Sequence, residues 1–135
     1  MQNRFKFRYV FAKDFGGKTG ICYKMPIFKL DTITDENFNK VVKEYADYGY
    51  TLVSKCQCTG LRDKNNNLIF EGDIVRFYFD NDEIIAVIEW DDVECRFYLN
   101  TTDFFKDKYV TDYEIVNQEE YEVIGNIYEN PELLK

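Results

Sequence analysis

The stretch TGLRDKNNNLIFEGDIVRF, Thr59 to Phe77, sets three consecutive asparagines and a Glu-Gly-Asp triplet between two apolar runs. Two structures fit such a composition: a loop that grips a ligand, or tight turns that reverse the chain. The residue types favour turns. Asn tolerates left-handed backbone angles, and Asp and Asn side chains accept hydrogen bonds from the backbone just ahead of them. Leu61 on one side and Leu68-Ile69-Phe70 on the other frame Asp63–Asn67 as a hairpin or similar reversal. Glu71-Gly72-Asp73 then launches a strand, Ile74–Phe79, in which Val75, Phe77 and Phe79 share a face.

Downstream, Asp80–Glu83 turns the chain, and Ile84, Ala86, Ile88 and Trp90 form the apolar face of the next strand. Asp91-Asp92 turns it again, and Cys95, Phe97 and Leu99 begin a third. Short strands joined by tight polar turns make a meander, and Glu71–Val75 suits the entry of a small, strongly bent SH3-like barrel. Tyr121–Tyr128 reads as a last strand, with Gly125 marking a bulge or a close backbone approach. Asn130 and Pro131 then suit the start of a helical turn that docks Leu133 and Leu134. Asp103–Glu120 shows no clear period.

Upstream, Phe5, Phe7, Tyr9 and Phe11 alternate with Arg4, Lys6, Arg8 and Val10, the period of a half-buried strand. Asp14–Gly20 is a glycine-rich turn, and Ile21–Leu30 is a second extended segment, limited as a central strand by Pro26. The spacing of Phe38, Val41, Val42, Tyr45 and Tyr48 predicts a helix over 34–48. Thr34 is its cap and Gly49 its left-handed stop. An extended segment, Tyr50–Cys58, follows. The expected fold is mainly β (α+β): a small mixed or antiparallel β-barrel, SH3-like in part, with one packed helix and a short C-terminal helical turn. A chain of 135 residues is expected to make one domain, 1–135, with strands and helix in 1–58 and the barrel-like sheet in 59–135.

The core material is aromatic: 12 Phe, 11 Tyr and 1 Trp suffice for a compact interior without disulfide or metal. The net charge of −8 repels a phosphate backbone on average and argues against general nucleic-acid affinity. No stretch approaches the roughly 20 apolar residues of a membrane span. Charges interrupt the N-terminal residues where a signal peptide needs an apolar run. The expected location is the cytoplasm, with Cys22, Cys56, Cys58 and Cys95 reduced.

Each candidate chemistry meets a plainer explanation. Ala12–Thr19 satisfies a loose phosphate-loop pattern, but Gly20, Ile21, Cys22, Tyr23 and Pro26 resist the helix that must follow, so a β-turn is expected. Cys56-Gln-Cys58 lacks a second spaced pair and a histidine, so free thiols are expected and no metal. Arg4, Lys6 and Arg8 interleave with aromatics, yet the strand period sends cations one way and rings the other; a solvated basic face is expected, and a nucleic-acid surface is the alternative. There is no histidine to act as general base near neutral pH, and Ser54, the only serine, has no obvious basic partner. Asp80, Asp82, Glu83, Asp91 and Asp92 read as turn residues. No catalytic residue and no cofactor is expected.

Three blocks carry a resemblance: Lys6-Phe7-Arg8, CTGLRDKNNNLIFEGDIV (Cys58–Val75) and VIGNIYENPELL (Val123–Leu134). In these the chain resembles the YopX family of bacteriophage and prophage proteins from Gram-positive bacteria, departing from the usual pattern at Asn67 and over Asp14–Leu30. The resemblance implies a mainly β fold with a barrel-like sheet and a packed helix, and no reaction. Its motif residues Gly60, Asp63, Gly72, Asp73, Gly125 and Pro131 are expected to serve structure. The expected function is that of a non-enzymatic accessory protein, with a nucleic-acid-binding module on the basic strand face, or a small-molecule-binding protein or enzyme, as the alternatives. Its partner would be another protein, of host or phage, or a second copy of the chain.

Overall fold

A computed structural model describes residues 5–30, 34–79, 81–101, 112–114 and 120–134. They form ten strands and one helix, arranged in two compact units, Met1–Cys58 and Thr59–Lys135.

In the first unit β1 (Lys6–Asp14) lies between β4 (Thr51–Arg62) on one side and β2 (Ile21–Lys24) and β3 (Ile27–Lys29) on the other, all antiparallel. The expected segment Ile21–Leu30 is thus two short strands laid end to end. Proline cannot donate to a ladder, and at the break the Pro26 carbonyl accepts from the Tyr9 N–H at 3.0 Å. The β1–β4 register slips between Val10 and Phe11, so that Val53 is the extra residue of a bulge.

The helix α1 spans Asp35–Asp47. The Thr34 hydroxyl accepts from the Asn37 N–H at 3.2 Å, while Asp35 and Glu36 complement the positive end of the helix dipole. At the other end Gly49 (φ 85°) turns the chain left-handed. Its N–H reaches the Ala46 carbonyl (2.9 Å) and the Tyr50 N–H reaches that of Tyr45 (3.0 Å), the paired bonds of a Schellman stop. Tyr45 stacks on Phe11 with centroids 4.1 Å apart, and Tyr9 meets both Phe38 (5.5 Å) and Phe28 (5.0 Å). Tyr48 differs from its expected place in the stripe. It is the C-cap, where the backbone has already left the helix, and its ring is 75% exposed.

In the second unit the end of β4 runs beside β5 (Leu68–Phe70), and a meander follows: β6 (Asp73–Phe79), β7 (Asp82–Asp91), β8 (Arg96–Asn100) and β9 (Asp112–Glu114). The last strand, β10 (Glu122–Asn126), returns beside β6, giving the order β10-β6-β7-β8-β9. The expected barrel is realised as a curled half-barrel, since this path ends at β9 and β10. One face is the core: Ile69, Val75, Phe77, Ile84, Ala86, Ile88, Leu99 and Tyr121, with Leu61, Phe97 and Val123 packed against it. Alternation places every second residue of β6 and β7 there, as the period of two requires. Trp90, at the end of that row, is 40% exposed and lies edge-on to Phe97. The chain finishes in a 3₁₀ turn, Pro131–Leu134, with Leu133 and Leu134 half-buried. Most of Asp103–Glu120 lies outside the described residues.

Candidate interaction surface

The motif residues of the second unit are consumed by structure. Asp63 is buried, and its carboxylate accepts from the N–H groups of Asn65 (2.9 Å), Asn67 (2.8 Å) and Val123 (2.9 Å), with the Asn67 amide at 3.5 Å. Burial pushes its pKa up, but those donors outweigh burial and hold it below its ordinary value. The Lys64 N–H also donates to the Tyr121 carbonyl at 2.8 Å. The loop therefore does more than turn: it caps backbone groups beside and within the start of β10. Within it Asn66 takes the left-handed angle (φ 67°).

Gly72 has φ 86°, which an L side chain rarely adopts. Its N–H donates to the Ile88 carbonyl (2.8 Å), and its carbonyl accepts from Ile127 (2.9 Å). Buried Asp73 accepts from the Phe70 N–H at 2.9 Å and closes the same turn. Gly60 (φ 86°) kinks β4 where the Thr59 hydroxyl bonds the Ile69 carbonyl at 2.8 Å. Gly125 sits at a slip in the β10–β6 register, and a Cβ there would lie 2.5 Å from Asn130 Oδ1. That oxygen accepts from the Asn126 N–H (3.2 Å), while buried Asn126 accepts from Tyr128 (3.0 Å) and Glu129 (2.9 Å). Asn130 caps Pro131–Leu134 through its carbonyl, which takes the Leu133 N–H, rather than through its side chain.

The remaining polar groups divide the same way. Glu122 pairs with Arg76 across the ladder at 2.8 Å and with Lys64 at 3.3 Å, which holds the carboxyl below its usual range and keeps Arg76 charged. Asp91 accepts from Val93 and Glu94 in the turn before β8. Asp82 opens β7, Glu83 accepts from the Tyr78 hydroxyl (3.4 Å), Asp92 lies exposed in that turn, and Asp80 lies outside the described residues.

In the first unit the phosphate-loop pattern leads into β2, not a helix. Phe15 and Gly20 are bonded across the turn (2.9 Å), and Asp14 accepts from Gly16 (2.8 Å). Lys13 is turned to the end of α1: its ammonium donates to the Tyr48 carbonyl (2.7 Å) and lies over the Phe15 ring (4.7 Å). A cation from β1 thereby serves the negative end of a helix whose own last turn has no basic residue. Cys56 and Cys58 are buried on one face of β4, Cys22 is half-buried and Cys95 exposed. Among the described residues no three His, Cys, Asp or Glu side chains gather as metal ligands.

The basic strand departs from its expected solvation. Arg4 lies outside the described residues, Lys6 and Arg8 are half-buried, and Val10 on their face is fully buried. The cause is position: β1 is flanked on both sides, so Arg8 sits between Ile27 of β3 and Cys56 of β4. What the sequence reading missed is how charge and apolar exposure are divided. Met1–Cys58 carries ten basic and six acidic residues, a net +4; Thr59–Lys135 carries seven and nineteen, a net −12. Counted over the whole chain, −8 hides this partition. Of the eleven large apolar side chains exposed among the described residues, seven lie in the first unit: Phe5, Phe15, Ile21, Ile27, Leu30, Tyr48 and Val53. The signal for some of them was present in Ile21–Leu30, where two lysines and no acid accompany apolar residues beside Pro26.

No helix among the described residues is long and apolar enough to cross a membrane. No curated protein matches the chain. Among solved structures, the crystal structure of protein EF1440 from Enterococcus faecalis is 23% identical, with 96% of this chain and 97% of that one covered, at a TM-score of 0.45. The family model described as YopX protein matches residues 21–135, through β2, the helix and every strand after it, and the chain belongs to the YopX family.

Proposed function

We propose that this protein is a non-enzymatic binding module whose partner is another protein, met through the first unit. As a phage or prophage accessory factor it would act in the cytoplasm of a bacterial host. One observation carries the reading: seven exposed apolar side chains lie on a unit of net charge +4. Exposed apolar groups among charges are the usual composition of a recognition surface. Three of the four buried polar residues described in the second unit support it from the other side, because Asp63, Asp73 and Asn126 are engaged in turns.

The test is capture from nuclease-treated host lysate on the immobilised protein. A partner is expected on the native chain and is lost when Phe15, Ile21, Ile27 and Val53 are replaced together by serine. No retained protein, or equal retention by the variant, rejects the reading.

A second reading has its own support in the charge of the first unit: nucleic-acid binding through Arg4, Lys6 and Arg8. It predicts binding that falls steeply with salt and disappears on charge reversal of the three. Binding unchanged by that reversal removes the assignment.

A further inference from the structure

The helix α1 rests on β1 without entering the core. None of its thirteen residues is buried, and Phe38, Val41, Val42 and Tyr45, the stripe that faces the strand, are only half-buried. The strand beneath differs: Tyr9 is 5% exposed and Phe11 not at all. Helix and strand meet through rings, Tyr9 with Phe38 at 5.5 Å and Phe11 with Tyr45 at 4.1 Å. Two lysines from the sheet close the seam. Lys55 Nζ lies 4.5 Å from the Phe38 ring and 5.8 Å from that of Tyr9, and Lys13 donates to the Tyr48 carbonyl at 2.7 Å.

This attachment is weak for its size. A side chain left half in water gives only part of the stabilisation of full burial, and cation–ring contacts at exposed sites add little singly. The helix has little strength of its own. Eight of its thirteen residues are Asp, Asn, Phe, Val or Tyr, from the poorer half of the helix formers, and a helix this short is marginal without packing. Once undocked, α1 would therefore lose its hydrogen bonds together. The strand it covers is held otherwise, since β1 pairs with β4 on one side and with β2 and β3 on the other.

We propose that α1 is a detachable cover: it undocks and unfolds as one unit while β1 stays paired with β4, laying bare the rings of Tyr9 and Phe11. The opening adds two aromatic side chains to the apolar surface of a unit whose net charge is +4. It is a property of the free chain, so it stands or falls separately from the protein-binding reading.

The experiment is native-state amide hydrogen exchange on the intact chain, followed residue by residue by NMR at a series of urea concentrations below the unfolding transition. Amides 39–47 are expected to exchange through one common opening, about a hundredfold or more faster than those of the β1–β4 ladder. Their dependence on urea should be shallower, because less surface is exposed. Tyr45→Ala removes the stacked ring and should speed exchange across the whole set by about tenfold. Asn39→Ala, on the exposed side of the helix, should slow the set about threefold through helix propensity alone, which gives a test by a variant that does no damage. Cys56 pairs with Arg8, on the face of the sheet away from Tyr9, so its buried thiol should react with iodoacetamide no faster than the ladder opens. Exchange of α1 at the rate and urea slope of the β1–β4 ladder overturns the proposal, because the helix then opens only with the sheet. A gradient of rates from the helix ends, unchanged rates in Tyr45→Ala, or Cys56 labelled as fast as the helix opens overturns it equally.

Discussion

The two units differ in where their polar residues are spent. In Thr59–Lys135, a unit of net charge −12, the notable polar side chains point back at the backbone: Asp63 ties its loop to β10, Asp73 closes the Gly72 turn and Asn126 binds the chain beyond it. In Met1–Cys58 six of the ten basic residues lie on strands, and seven large apolar side chains stand exposed in the same unit. A carboxylate or carboxamide can satisfy several N–H groups within a few ångströms, so acidic and amide residues make good fasteners. Lysine has a long, mobile stem and donors only, which suits it to meeting something else. The first unit therefore has surface to spare, and the second has used its special residues on itself.

The sharpest way to break this contrast is to remove the busiest fastener. Asp63→Ala leaves the N–H groups of Asn65, Asn67 and Val123 without their acceptor. The expected loss is about 3 kcal/mol, read by denaturant unfolding followed at Trp90, the single tryptophan and a residue of this unit. A loss below about 1 kcal/mol would show that the loop holds β10 by other means. The pH dependence has a definite sign. The folded pKa of Asp63 lies below its ordinary 3.8, so its contribution is fully present above 3.8 and disappears as the pH falls through the lowered value. The gap between native and Asp63→Ala proteins should be constant above that pH and narrow below it. A gap that widens on acidification would contradict the hydrogen-bond assignment.

These fasteners were legible because turn chemistry is local. Three asparagines in a row, or Gly72 between two acids, announce their backbone demands within a few residues. The alternation of Ile84, Ala86 and Ile88 was legible for the same reason, since period two is a property of the strand itself. The reach of Asp63 across sixty positions to Val123 was not legible, because nothing near either residue records the other. The flanking of β1 by three strands was equally hidden, and with it the half-burial of Lys6 and Arg8. Tyr48 shows the limit of periodicity: its spacing continues the stripe, but the helix stops one residue earlier.

Gly125 should come next in effect. Its backbone carries no left-handed angle, so its constraint is space alone: a Cβ would meet Asn130 Oδ1 at 2.5 Å and its Cγ at 2.7 Å. Gly125→Ala should cost about 2 kcal/mol by forcing Asn130 off the Asn126 N–H. Asn130→Ala in the same chain should remove most of the alanine penalty, because the obstacle is gone. Additive losses would place the strain elsewhere.

In the first unit the corresponding device is conformational. Gly49 has φ 85°, and a Cβ would approach Lys13 Cε at 3.0 Å, a flexible stem that can give. Gly49→Ala should therefore cost about 1 kcal/mol, mostly from the left-handed angle, and appear as a weaker helical signal in far-ultraviolet circular dichroism. Lys13→Met should not rescue it, since the angle and not the lysine sets the penalty. A rescue would show that the contact matters more than the backbone.

The smallest stability effect is expected where the function is proposed. Ile27 and Val53 are more than half exposed, and Val53 is the extra residue of a bulge rather than part of a packed ladder position. Serine at either should change stability by less than about 0.5 kcal/mol, because a side chain already in water loses little burial when it is shortened. The comparison with Asp63 then separates two kinds of importance. A residue that holds the fold should show its loss in unfolding curves, whereas a residue kept for a partner should show it only when the partner is present. If Ile27→Ser or Val53→Ser cost as much as Gly125→Ala, these side chains would be packed in solution, and the apolar surface assigned to binding would belong to the core.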